Sequence, residues 1–183
     1  MQLRFTPSDC VVLVIDIQER LAPAIAPEDR ERLLRGARLL VEAAKLFEVP
    51  VVTSEQYPRG LGPTIPELAE LLPAAPIAKT EFSALGNSGV AAALEASGRK
   101  LAIVIGMEAH VCVLQSVLAL LEGGYAVHVC HDGVGSRSVD DKRAALDLMR
   151  GAGAAVTSVE SVAFQWCRDA ADPRFKALSK LVK

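Results

Sequence analysis

The stretch Cys10-Val-Val-Leu-Val-Ile15, followed at once by Asp16, decides the fold. An unbroken apolar run rich in β-branched residues, with no polar alternation, reads as a strand buried on both faces. Such strands belong to parallel sheets covered by helices on each side, and the rest of the chain repeats the pattern. Pro27 and the acidic pair Glu28-Asp29 start a helix that runs to Phe47, with Leu33, Leu34, Ala37, Leu40, Val41 and Ala44 at helical spacing. Pro50-Val-Val-Thr53 reads as the second strand, and Ile77-Ala78, leading to Lys79, as a short third one.

Beyond it, an alanine-rich helix spans Gly89–Ser97 and is closed by Gly98. Leu101-Ala-Ile-Val-Ile-Gly106 is the next strand, Val111 to Glu122 a helix ended by Gly123-Gly124, and Tyr125–Cys130 another strand followed by a loop over His131–Ser138. Asp140–Arg150 reads as a helix and Ala154–Thr157 as the last strand. Ser161–Trp166 and Arg174–Lys183 also read as helical. The rhythm breaks at residues 54–76, where five prolines and two glycines imply a loop with one short helix near Glu67–Leu72. A long excursion of this kind in a compact domain is more often functional than idle. Strand–helix alternation predicts an α/β fold, a parallel sheet with helices on both faces, formed by residues 1–183 as one domain.

Half of the residues are hydrophobic (51%) but only 4% are aromatic, so the core is aliphatic. The net charge of -2, with no basic run, gives no electrostatic footprint for nucleic acid or an acidic membrane. No stretch reads as a signal peptide or membrane span, and the four cysteines match no zinc spacing and no CxxC. Reduced thiols in a cytoplasmic setting are the expectation.

Ligands of such sheets bind at the carboxyl ends of the strands. Asp16, Lys79 and Cys112 all lie there. A helix start and a nearby cation lower a thiol pKa, and a carboxylate can take the thiol proton and return it to a leaving group. Backbone N–H groups of the turn Gly106–Cys112 could bind the resulting oxyanion. Each residue also has a plain reading: Cys112 as a small core residue, Asp16 as a cap, Lys79 as a solvated loop residue. His110, two positions before Cys112, offers a competing Cys–His dyad. Cys10 and Cys130 read as core, and Cys167 as structural or partly exposed.

Val14-Ile-Asp16-Ile-Gln18, Ala78-Lys79-Thr-Glu-Phe82-Ser and Val104-Ile-Gly106-Met-Glu108-Ala-His110-Val-Cys112-Val together resemble the isochorismatase-like cysteine hydrolase family. Glu55-Gln-Tyr-Pro-Arg-Gly-Leu-Gly-Pro63, Glu108–Gln115 and Phe164-Gln-Trp-Cys-Arg-Asp-Ala170 are similar to its branch of isochorismatase-domain-containing proteins without an assigned substrate. The resemblance implies a three-layer α/β/α, Rossmann-like fold with six parallel strands in the order 3-2-1-4-5-6. It implies Cys112 as nucleophile, Asp16 as proton acceptor and donor, and Lys79 as their electrostatic partner. It further implies a cis peptide at Met107–Glu108 that turns the Glu108 N–H toward an oxyanion beside that of Cys112.

Nicotinamidases of the family carry an Asp-x-His…His metal site after the second strand; here the region reads Thr53-Ser-Glu-Gln-Tyr-Pro58, so neither a metal nor another cofactor is expected. True isochorismatases of the family typically lack the cysteine. The expected activity is therefore metal-independent hydrolysis of an amide or related C–N bond in a small molecule. A non-catalytic binding or scaffold protein, or a thiol redox protein, is the alternative; a nucleotide-binding domain is disfavoured because Asp16-Ile-Gln-Glu19, not a glycine-rich turn, follows the first strand. Gln18, Leu21, Glu55, Gln56, Tyr57, Phe82 and His110 are the expected substrate contacts, with Glu55 and Gln56 equally able to cap the proline-rich loop. The resemblance also implies a homo-oligomer, with Phe164 and Trp166 packed either on a neighbouring subunit or under the chain's own last helix.

Overall fold

The structure, a computed structural model, describes residues 2–183. Six strands form one sheet: β1 (Cys10–Ile15), β2 (Val51–Gln56), β3 (Ile77–Lys79), β4 (Leu101–Met107), β5 (Ala126–Gly135) and β6 (Ala155–Thr157). Their order is β3-β2-β1-β4-β5-β6, and every pairing is parallel. The helices are α1 (Pro27–Leu46), α2 (Pro58–Leu61), α3 (Pro66–Ala69), α4 (Ser88–Ala96), α5 (Leu114–Glu122), α6 (Val139–Gly151), α7 (Val159–Cys167) and α8 (Phe175–Leu181). No helix among the described residues is long and apolar enough to cross a membrane.

Every residue of β1 is buried, as the apolar run requires. Its side chains alternate between two cores. Cys10, Val12 and Val14 join the α1, α7 and α8 side with Leu33, Leu40, Trp166 and Leu178. Val11, Leu13 and Ile15 join the α4, α5 and α6 side with Leu94, Val117 and Met149. Each buried Val, Leu or Ile contributes roughly 1.5–3 kcal/mol, so the two aliphatic faces replace the missing aromatic bulk.

Three stretches differ from the sequence reading. β2 runs on to Gln56, and the proline-rich excursion then holds two short helices, α2 and α3, in place of a loop with one. This segment is tied back onto the exit of β1: Ile65 N–H donates to Ile17 O (3.0 Å), Glu19 N–H to Pro63 O (3.1 Å) and Arg20 N–H to Leu61 O (3.1 Å). β5 does not end at Cys130. Its register slips between Val104 and Gly106 of β4, after which Val134 and Gly135 pair with Gly106 and Met107, so the expected loop at 131–138 is mostly strand. Finally, a wide π turn, Ala109–Val113, precedes α5.

Gly106 leaves no room for a side chain between β1 and β4. A Cβ there would lie 2.4 Å from the carbonyl oxygen of Ile15, its register partner, so only glycine fits. Trp166 is buried inside the chain's own core and donates from Nε1 to Cys10 Sγ (3.4 Å); Phe164 is half-exposed against Phe175.

Candidate active site

Asp16 leaves β1 in the left-handed region (φ 54), a backbone state that aspartate tolerates better than most residues. Its carboxylate is withdrawn from solvent. Oδ1 accepts from Ser54 Oγ on β2 (2.7 Å) and Oδ2 accepts from Lys79 Nζ at the end of β3 (2.7 Å). The Lys79 ammonium also donates to Gln56 Oε1 (2.6 Å) and to the carbonyl of Glu81 (3.1 Å), with the Phe82 carbonyl at 3.4 Å. An ammonium has three N–H groups. The three shortest of these contacts use them all, which leaves Lys79 no donor for a substrate.

Cys112 sits in the π turn after β4 and is 6% exposed. π turns inside helices recur at functional sites. Burial pushes the thiol pKa up to about 12; the Asp16 charge acts in the same direction, and Lys79 opposes it without prevailing. The expected depression of this pKa is thus reversed. Cys112 lies in the turn ahead of α5, and desolvation with a nearby carboxylate outweighs a cation whose donors are committed to Asp16, Gln56 and Glu81. Asp16, Lys79 and Cys112 are brought together, with the thiol in its neutral form. Ser116, one turn on, receives the Ala84 N–H (2.8 Å) and donates to the Cys112 carbonyl (2.6 Å), pinning this turn to the segment that follows Lys79.

The cis bond expected at Met107–Glu108 is absent: every peptide bond among the described residues is trans. Glu108 enters the π turn in the left-handed region instead (φ 56, ψ 63). The Glu108 side chain points to the segment after β5, where its Oε1 accepts the Arg137 N–H (3.2 Å).

The expected substrate contacts divide. Gln18 is fully buried and its amide is spent on the backbone, accepting from Gln56 N–H (2.8 Å) and donating to Gln56 O (3.0 Å) and Gly62 O (2.6 Å). Glu55 Oε1 accepts the Thr64 N–H (2.6 Å) and hydroxyl (2.7 Å), the loop-capping alternative. Gln56 holds Lys79 and, through Nε2, the Thr80 carbonyl (2.8 Å). Leu21 packs against the α1-side core. His110 turns to Ser136, with Nδ1 3.1 Å from its hydroxyl. Tyr57 and Phe82 remain free, each more than half exposed. Tyr57 lines a cleft of about 360 Å³ with Arg59, Thr80, Glu81 and Asn87, beside Lys79. The sequence reading passed over Ser54, Ser116 and Ser136. The signal for the first two was spacing: Ser54 shares a strand face with Gln56, and Ser116 lies one helical turn beyond Cys112.

Among the described residues no three His, Cys, Asp or Glu side chains gather as a metal would need, and all four cysteines are free thiols.

The sequence profile of the isochorismatase domain matches residues 10–161. The chain is 39% identical to the secreted isochorismatase effector Isc1 of Phytophthora sojae, over 98% of this chain and 87% of that protein. The solved structure of the MAR1 ribonuclease of Caenorhabditis elegans is 37% identical, with a TM-score of 0.90 over 98% of this chain and 92% of that one. The Escherichia coli YcaC gene product, described as an octameric hydrolase of unknown specificity, is 29% identical, with a TM-score of 0.91 over 99% and 90% of the two chains.

Proposed function

The chain belongs to the isochorismatase domain family, and from that premise we propose that it is a cysteine hydrolase that cleaves an amide or related C–N bond of a small molecule through a thioester on Cys112. The observation that carries this reading is the buried Asp16–Lys79 pair acting on the buried Cys112 thiol at the carboxyl edge of the sheet.

The neutral thiol sets the order of events. A sulfur with a pKa of about 12 does not wait as a thiolate; it gives its proton to Asp16 as it bonds to the substrate carbonyl carbon. Backbone N–H groups of the π turn, that of Cys112 among them, receive the oxyanion. Collapse of the tetrahedral adduct breaks the C–N bond, and the amine leaves with the proton held by Asp16. Water then gives a proton to Asp16 as its oxygen bonds to the thioester carbon; collapse of this second adduct breaks the C–S bond, releases the acid, and the sulfur takes back the proton from Asp16. Lys79 does not move in this cycle: it holds Asp16 in place while the carboxyl group gains and loses its proton. No step calls for a metal. The names of the relatives disagree on substrate, so none is carried over.

The test is a screen of amides, carbamates and ureides with intact-mass detection of an acyl adduct on Cys112, run beside Cys112→Ala. A substrate adduct on wild type and no turnover by the variant are expected; undiminished turnover by Cys112→Ala refutes the mechanism. RNA belongs in the same screen as the contrasting substrate, since a net charge of -2 gives no general electrostatic attraction to a polyanion.

A further inference from the structure

Glu108 is a non-glycine residue held left-handed at the root of the turn that carries Cys112. Such a conformation costs of order 1–3 kcal/mol and persists only where the surroundings over-determine it. What surrounds Glu108 is a polar cluster outside the Asp16–Lys79–Cys112 group. Its Oε1 accepts the Arg137 backbone N–H (3.2 Å), and its Oε2 lies 3.6 Å from Arg137 Nε. His110, on the same turn, meets Ser136 through Nδ1 at 3.1 Å. Its Nε2 stands between Glu108 Oε2 (3.8 Å) and Asp141 Oδ2 (3.9 Å) at the start of α6. Ser136 and Arg137 can reach the turn because β5 continues past its bulge to Gly135. Both turn side chains are largely buried, although both are polar.

We propose that Glu108 and His110 are positioning residues: they clamp the Cys112 turn onto the Ser136–Arg137 link and the start of α6, and so hold the nucleophile in register with Asp16. The clamp acts through the turn and touches no reacting atom; the Glu108 charge also holds the Cys112 pKa up, an effect that Glu108→Gln removes by itself. The proposal rests on Cys112 being the nucleophile, but its geometry can be tested without a substrate.

Glu108→Gly is the decisive variant. Glycine adopts the left-handed backbone without strain, so the substitution removes the clamp while relieving the local cost. Glu108→Gln keeps an oxygen for the Arg137 N–H and loses only the charge. Three readouts apply: the thermal midpoint, the rate of Cys112 alkylation by iodoacetamide located by peptide mass spectrometry, and, on a substrate from the screen, kcat and KM separately. For Glu108→Gly the expected result is a midpoint no lower than wild type, alkylation several-fold faster, and kcat lower by about tenfold or more with KM little changed, since small misplacements of reacting groups cost that much. Glu108→Gln falls between wild type and Glu108→Gly. Unchanged alkylation in Glu108→Gly overturns the clamp. So does faster alkylation accompanied by a lower midpoint, which marks general loosening, and so does a Glu108→Gln as damaged as Glu108→Gly. If no substrate is ever turned over, the hydrolase reading fails while alkylation still decides the clamp.

Discussion

Lys79 Nζ lies 2.7 Å from Asp16 Oδ2, and neither side chain is reached by solvent. The pair is also hydrogen-bonded beyond itself, with Ser54 on one side and Gln56 and Glu81 on the other. Breaking a buried pair by removing one partner strands a charge, at about 3–5 kcal/mol. Lys79→Met is therefore expected to lose stability of that order in urea unfolding, whereas the double variant Asp16→Asn with Lys79→Met recovers much of it. A single variant as stable as wild type would show that the pair is not desolvated as described.

The reactivity of Cys112 follows from the carboxylate beside it. With a pKa raised to about 12 by burial and by the Asp16 charge, the thiol of the resting protein alkylates slowly near neutral pH. Its rate should climb about tenfold per pH unit with no plateau below about pH 10, because only the thiolate reacts. Asp16→Asn removes a charge that raises the pKa and leaves Lys79, which lowers it, so the profile shifts to lower pH. A plateau near neutral pH in wild type, or a shift to higher pH in the variant, would contradict this electrostatic picture.

Gly106→Ala places a methyl carbon 2.4 Å from the Ile15 carbonyl, a backbone atom that cannot step aside. The sheet must open between β1 and β4, directly beneath Asp16 and Cys112. Overpacking of this kind costs about 1–3 kcal/mol and sometimes more. The variant should unfold at correspondingly lower urea concentration and lose turnover as well, because the two sides of the site ride on these strands. Wild-type stability would mean that the strands are less tightly joined than their register implies.

The sheet was readable in the sequence because its strands are buried on both faces. A short continuous run such as Val11–Ile15 has no polar side to turn to water, so it must be covered from both directions. The strand order came with the family resemblance, as did the roles assigned to Asp16, Lys79 and Cys112. The sequence did not reveal where polar side chains would spend their hydrogen bonds. Gln18 and Gln56 look like substrate contacts in the linear chain, but in three dimensions one holds the proline-rich segment and the other holds Lys79. The continuation of β5 was hidden by His131-Asp132-Gly133, which looks like a turn; Asp132 instead caps α7 through the Val159 N–H (2.9 Å). The direction of the Cys112 pKa was hidden for a similar reason, since it depends on how deeply the turn is buried.

His128 gives a pH dependence that the proposed chemistry does not involve. It lies on β5, 3% exposed, with its ring edge-on to Phe5 at 4.8 Å. Nε2 is 2.7 Å from the Gln2 carbonyl, which can only accept, so Nε2 carries the proton and Nδ1 is bare; Nδ1 is buried with no partner. Burial lowers the pKa, and the Gln2 contact offsets this only in part. The unfolded chain therefore takes up this proton at higher pH than the folded one. Stability owed to the neutral ring is fully present above the unfolded value of about 6.5 and declines as pH falls from there through the folded pKa, by up to about 1.4 kcal/mol per unit of difference. Urea midpoints at pH 8, 7, 6 and 5 should fall across the acidic half of that series. His128→Gln can still donate to the Gln2 carbonyl but does not titrate, so its decline should be shallower. Equal slopes for the two proteins would show that acid weakens the fold through other groups.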